Sequence, residues 1–310
     1  MTMQWTEETL LDETLRLLQG KGPPQAYAFL RQNEGRVHAE NRGQIYNFSY
    51  CLAALCGQVD EALAILAKAT REGYWWRPEV FCDEDLQSLQ GHPDFEALRE
   101  ESCRRYAAAQ SGARWQCSWA ARRHPGVLLA LHGNQQNATH AKNAWQDVTG
   151  PHMQLETLQA ALPDSYGLYR WQPGDDSEAR IAWQVNSLRL AGHRTVVLGG
   201  FSAGCGAIAR ALARQDTRCE AAVFAAPWLP GLEEVMENLV ENLVRHGTRL
   251  LVVCGTQDVD CLPGATLLAS RVQDAGGHCT LELPAGLGHA FAPGFAGKVG
   301  AFLHGAPAAA

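Results

Sequence analysis

The chain has 310 residues, of which 46% are apolar and 19% charged, the composition of a folded globular protein long enough for two domains. Its formal net charge of −7 excludes a nucleic-acid surface, which needs clustered positive charge to displace counterions; the one dense basic run, Arg122-Arg123-His124, reads as a solvated strand end. No stretch of 18 apolar residues occurs, so no membrane span is expected. The N-terminal stretch MTMQWTEETLLDETL is acidic and amphipathic, unlike a secretory signal. The ten cysteines form no C-x-x-C pair, and several (Cys51, Cys56, Cys254) sit in apolar runs. Together these features predict reduced thiols, no zinc site and a cytoplasmic protein.

Residues 1–108 read as helices only. Leu10, Leu11, Thr14, Leu15 and Leu18 recur at helical spacing, and a second helix follows Pro23-Pro24. The stretch YNFSYCLAALCGQVDEALAILAKATREG, residues 46–73, resembles a tetratricopeptide repeat at Tyr46, Ala53, Gly57, Ala62, Leu66 and Ala69. A weaker echo, QAYAFL at 25–30, precedes EALAIL at 61–66 by about one repeat. The resemblance implies a degenerate helical-repeat domain, 1–108, able to take a protein partner or a second copy of the chain. An isolated repeat leaves an apolar face open, so the module is expected to bury that face on a neighbour.

YAAAQSGA at 105–112 reads as a linker, and strands then alternate with helices through a second domain, 109–310. Strands are predicted at 113–120, Val127–Leu131, Leu155–Leu162, Thr195–Gly199, Ala221–Ala225, Arg249–Cys254 and Cys279–Leu283. The clearest helix is LEEVMENLVENLV, 232–244, whose apolar residues keep one face. Near-continuous apolar strands in such an alternation predict an α/β fold with a mostly parallel, doubly wound sheet. Ligands of such sheets bind beyond the carboxyl ends of the strands.

Ser202 lies just past one such end, in Gly200-Phe201-Ser202-Ala203-Gly204, with a strand before and a helix after. The flanking glycines leave room for a sharp turn with the serine at its apex. A serine needs a base. His289 follows the last strand in PAGLGHAF, and His132 ends the strand VLLALHG. Between Ser202 and His289, RLLVVCG runs into Thr256-Gln257-Asp258-Val259-Asp260, so an acid also stands at a strand end.

Residues 113–304 resemble an α/β-hydrolase, nearest the carboxylesterases, phospholipase-like esterases and dienelactone-hydrolase-like enzymes, through LALHGN, GGFSAG, VCGTQD and GLGH. The resemblance implies Ser202 as nucleophile, Asp258 as acid and His289 as base, with the amides of Asn134 and Ala203 forming the oxyanion hole. It implies no metal and no organic cofactor, and a small ester or thioester as substrate. Asp258 stands at the G-x-x-D spacing of that family, while Asp260, beside Cys261, is the competing acid. His132 reads as a hydrogen-bonded support under the oxyanion loop, and Cys205 as core packing rather than a second nucleophile. Trp171 and Trp228 lie in the two segments able to roof the site and are candidate substrate-lining residues. The competing functions are a serine peptidase or amidase, and an interaction protein whose hydrolase-like domain is a scaffold.

Overall fold

The computed structural model describes residues 5–37, 41–119, 124–150 and 153–304. Arg122 and Arg123 of the basic run lie outside the described residues, as does the start of the N-terminal stretch, 1–4. The chain divides into two compact units, one of residues 1–113 with 163–167, the other of residues 114–162 with 168–310. No helix among the described residues is long and apolar enough to cross a membrane.

The first unit is built from helices: α1 (Glu7–Lys21), α2 (Pro23–Asn33), α3 (Gly43–Leu55), α4 (Val59–Arg71) and α5 (Pro93–Ser111). Thr6 starts α1 by accepting the Thr9 N–H, and the Pro23-Pro24 pair starts α2, where a missing N–H leaves nothing unpaired. Gly57, at φ 71°, turns the chain from α3 into α4, and the Gln58 N–H reaches back 2.9 Å to the Ala53 carbonyl. That pairing satisfies a carbonyl the helix end would otherwise leave open. Tyr46, Ala53, Ala62, Leu66 and Ala69 are all buried in the core of this unit.

Residues 105–111, expected to begin a linker, are instead the last turns of α5. Alanine has the highest helix propensity, so Ala107-Ala108-Ala109 extends a helix that already has tertiary contacts, and the chain leaves it at Gly112. The first unit therefore runs to 113. It also takes in 163–167, where the Arg77 N–H donates to the Asp164 carbonyl at 3.0 Å and the Tyr166 N–H to the Trp75 carbonyl at 2.9 Å.

The second unit is built on a seven-stranded sheet. Its sheet strands are β1 (Gln116–Cys117), β2 (Gly126–Leu131), β3 (Met153–Gln159), β6 (Thr195–Phe201), β7 (Ala221–Ala225), β8 (Arg249–Val253) and β9 (Cys279–Glu282); β4 (Leu162–Ser165) runs into the 163–167 segment of the first unit, and β5 (Leu168–Arg170) follows outside the sheet. The single strand expected over 155–162 is thus two, β3 and β4. The order is β1-β3-β2-β6-β7-β8-β9, with only β1 antiparallel to its neighbour. The helices are α6 (Ala138–Trp145), α7 (Ser177–Leu190), α8 (Ala203–Leu212), α9 (Met236–His246), α10 (Leu262–Asp274) and α11 (Phe295–His304). The helix predicted at 232–244 is split, because a 3-10 turn over Leu232–Glu234 precedes α9.

Alternate residues of each strand face opposite cores. On β2, Leu129 and Leu131 join the core that includes Ile208 of α8, while Leu128 and Ala130 join the one that includes Trp145 and Phe295. Burial on both faces explains why these strands are apolar throughout. From β2 the chain moves to β3 on one side, then crosses to β6 on the other. That reversal opens a crevice at the carboxyl ends of β2 and β6, the place where such sheets bind ligands.

Gly199 of β6 lies flat against the fully buried Trp145, and a Cβ there would stand 2.7 Å from the indole ring. Gly199→Ala is expected to lower unfolding free energy by about 1–3 kcal/mol, the usual effect of overpacking. Guanidinium unfolding followed by tryptophan fluorescence checks it; an unchanged midpoint would show that Trp145 yields freely.

Candidate active site

Ser202 stands between the end of β6 and the first residue of α8, with φ 52° and ψ −121°. A non-glycine residue at positive φ is strained and persists only where its surroundings hold it. Here the Ser202 N–H donates to the Ala225 carbonyl at 3.0 Å, and the Ser202 carbonyl accepts from Trp228 at 3.2 Å and Cys205 at 3.0 Å. The flanking glycines are sterically required. A Cβ on Gly200 would lie 2.8 Å from the Cys205 nitrogen, and one on Gly204 2.5 Å from the His132 carbonyl oxygen.

The Ser202 hydroxyl lies 2.9 Å from His289 Nε2, and His289 Nδ1 lies 2.8 Å from Asp258 Oδ2. An ionised carboxylate only accepts, so Nδ1 carries the proton and Nε2 is left to accept from Ser202 Oγ–H. Asp258 is buried, and its other oxygen accepts from the Cys261 N–H at 3.3 Å. Asp260 is exposed and makes no such contact. Gly255 permits this convergence, since a Cβ there would sit 2.0 Å from the Leu287 carbonyl oxygen. The loops after β8 and β9 thus cross without a side chain between them, which brings position 258 to position 289.

The loop after β2 lies against the serine. A Cβ on Gly133 would fall 3.2 Å from Ser202 Cβ. The Trp171 N–H donates to Asn134 Oδ1 at 2.8 Å, and the Gln135 N–H to the Tyr169 carbonyl at 2.9 Å. The N–H of Ala203, as the first residue of α8, has no intrahelical acceptor. His132 is fully buried; its Nε2 accepts from the Ala160 N–H at 3.1 Å, so Nδ1–H donates to the Gly133 carbonyl at 2.6 Å. Burial brings its pKa down to about 4, which keeps it neutral beneath the loop.

Trp171 and Trp228 line one narrow cavity with Ala203, the former buried and the latter partly exposed. Cys205 is fully buried, its thiol pKa held well above the ordinary value by that burial. Two neighbours of the site escape sequence reasoning. Cys261 places its sulfur 3.5 Å from His289 Nδ1, and Arg210 shares the cavity of the two tryptophans. Asp258, Cys261 and His289 have donor atoms within 4.8 Å of one another, although their spacing along the chain suggests no ligand set. Burial and the nearby Asp258 carboxylate both raise the Cys261 pKa, so this sulfur remains a thiol.

Residues 6–110 match the family model described as the A/B hydrolase-like N-terminal domain. An uncharacterized protein from Bacillus cereus ATCC 10987 has a similar structure, with TM-score 0.55 and 24% identity over 96% of this chain and 98% of its own. A carboxylesterase from Mesorhizobium loti matches with TM-score 0.50 and 17% identity over 62% of this chain and 94% of its own. No curated protein sequence matches the chain. The fold is that of the α/β-hydrolases, preceded by a helical N-terminal domain.

The buried, neutral His132 has a consequence for stability. An unfolded chain protonates this residue near the ordinary value of 6.5, the folded one only near 4, so between these values the unfolded state binds more protons. The stability it contributes is complete above pH 6.5 and is lost as pH falls towards 4. Urea midpoints measured across that range should fall less steeply for His132→Gln than for the wild type. Equal slopes would show that His132 does not titrate as its burial requires.

Proposed function

We propose that the chain is a serine hydrolase that cleaves a carboxylic ester or thioester through an acyl-enzyme. The observation that supports this best is the continuous hydrogen-bonded chain from Ser202 Oγ through His289 to buried Asp258, with the serine on a positive-φ turn. The carboxylesterase from Mesorhizobium loti, which shares the fold, agrees with that chemistry.

In this reading, Ser202 Oγ bonds to the substrate carbonyl carbon while its proton moves to His289 Nε2. The carbonyl oxygen takes the negative charge and accepts from the Ala203 and Asn134 amides, the two donors assigned to it in this reading. The bond to the leaving oxygen or sulfur then breaks, and the proton on Nε2 passes to that atom. Water repeats the sequence: its proton goes to His289, its oxygen displaces Ser202, and the acid is released. The net change is ester plus water to acid plus alcohol, or thioester plus water to acid plus thiol. Asp258 holds the Nδ1–H tautomer and stabilises the imidazolium in both halves.

Ser202→Ala should reduce hydrolysis of short p-nitrophenyl esters to background. Asp258→Asn should lower kcat by roughly a hundredfold or more, since an amide permits the wrong tautomer. Asp260→Asn should cost less than about tenfold, because that carboxylate faces solvent. Steady-state kinetics at saturating ester check all three; a larger loss at Asp260 would move the acid, and an active Ser202→Ala would remove the nucleophile.

A further inference from the structure

Behind the His289 imidazole, on the edge away from Ser202, three different donor atoms converge. Asp258 Oδ2 lies 2.8 Å from Nδ1, Cys261 Sγ lies 3.5 Å from it, and all three are within 4.8 Å of one another. Two loops bring this about. Asp258 and Cys261 stand three apart on the turn into α10, where the Leu262 N–H donates to the Asp258 carbonyl at 2.9 Å, so both side chains leave on one side. His289 arrives on the loop after β9, which Gly255 lets approach. The thiol plays no part in the steps above. Among the described residues no lysine or arginine reaches the buried Asp258 carboxylate, which neutral donors alone hold.

The spacing of these atoms is close to that of a metal's ligand sphere. Tetrahedral zinc with bonds of about 2.0–2.3 Å holds its oxygen, nitrogen and sulfur donors roughly 3.3–3.7 Å apart. The sulfur and nitrogen already stand at 3.5 Å, and the oxygen and nitrogen, at 2.8 Å, must open by about half an ångström. The His289 side chain is 42% exposed, and a Cβ added at Gly286 or Gly288 just before it would meet nothing within 4 Å. This ring is therefore the wall that gives. A thiolate, an imidazole and a carboxylate suit zinc, whereas magnesium and calcium take oxygen ligands. The charges also balance: one zinc, one thiolate and one carboxylate leave no net charge to bury.

We propose that Asp258, Cys261 and His289 Nδ1 form an inhibitory zinc site, at which the bound ion disables the base. This rests on the acyl-enzyme reading above. Zinc bonds to the Cys261 sulfur, whose proton goes to water, and to the Nδ1 lone pair. A neutral imidazole keeps one proton, and with Nδ1 occupied that proton sits on Nε2. Nε2–H then points at Ser202 Oγ as a donor and cannot take the serine proton. One proton is released for each ion bound, and nothing is oxidised or reduced. The ion acts on the ring edge away from the substrate, so it lowers kcat and leaves KM unchanged. Its removal restores the Nδ1–H tautomer.

The full chain and Cys261→Ser should be assayed on a p-nitrophenyl ester in EDTA and then in rising zinc chloride, each against its own rate in EDTA. Saturating zinc should lower wild-type kcat at least about a hundredfold, the scale of a wrong histidine tautomer, with recovery when EDTA is added. Cys261→Ser should be at least about tenfold less sensitive, since a neutral hydroxyl is not a zinc ligand of this kind. Magnesium chloride should have no effect. Cobalt(II) supplies a readout independent of turnover, a thiolate-to-cobalt charge-transfer band that Cys261→Ser lacks. Equal zinc inhibition of wild type and Cys261→Ser would overturn the proposal. A cobalt band specific to Cys261 in a chain that hydrolyses no ester would keep the metal site and remove the hydrolase; ester hydrolysis that zinc leaves untouched would do the reverse.

Discussion

At the carboxyl ends of β2 and β6, two stretches of backbone pass so closely that no side chain fits between them. A Cβ at Gly204 would stand 2.5 Å from the His132 carbonyl oxygen, and one at Gly200 2.8 Å from the Cys205 nitrogen. The first turn of α8 can reach the sheet only because both positions are glycine. The cost falls on Ser202, which takes up φ 52° between them, and three backbone hydrogen bonds to the ends of β7, α8 and the loop beyond hold it there. The hydroxyl is thereby lifted out of the packed helix into the crevice. The same contact sets the loop after β2 beside it, with buried His132 as a neutral support.

The opposite wall follows a parallel logic. Gly255 and Leu287 bring the loops after β8 and β9 into contact, and one proton position is then determined by hydrogen bonding alone. Asp258 is acceptor-only, so Nδ1 of His289 must donate and Nε2 must accept. Phe201 lies under this imidazole, ring centroid to ring centroid 5.2 Å, and stacks in turn on Phe291 at 4.5 Å. Base and hydroxyl are thus supported from the same strand end. Two close backbone crossings, one on each side, position the three side chains that the proposed chemistry uses.

Much of this is legible in the amino-acid order because it depends on local constraints. The apolar strands report a sheet covered on both faces, and Gly200, Ser202 and Gly204 report a tight strand-to-helix turn. Other features depend on distant partners and leave no local trace. Ala107-Ala108-Ala109 and the polar residues after them read as a linker, yet the tract continues α5 to Ser111. The apolar run from Leu155 hides the break between β3 and β4, because hydrophobicity does not register which unit a residue joins. Cys261 and Arg210 look like ordinary helix residues in sequence. Only the folding of the 258–261 loop and the small stripe along α8 bring one to His289 and the other to the cavity of the two tryptophans. Gly206 and Ala207 are the available clue to that cavity, since successive small residues on one helix face imply close approach by something else.

The central claim is that Ser202 is activated as a nucleophile by the hydrogen-bonded chain behind it. Reaction with a fluorophosphonate tests this most directly, because only an activated serine attacks phosphorus quickly and the adduct remains for peptide mass spectrometry. The account predicts one phosphonyl group per chain, on the peptide containing Ser202, formed rapidly by the native protein and not after denaturation. A native protein that stays unlabelled, or carries the adduct on another residue, would contradict it.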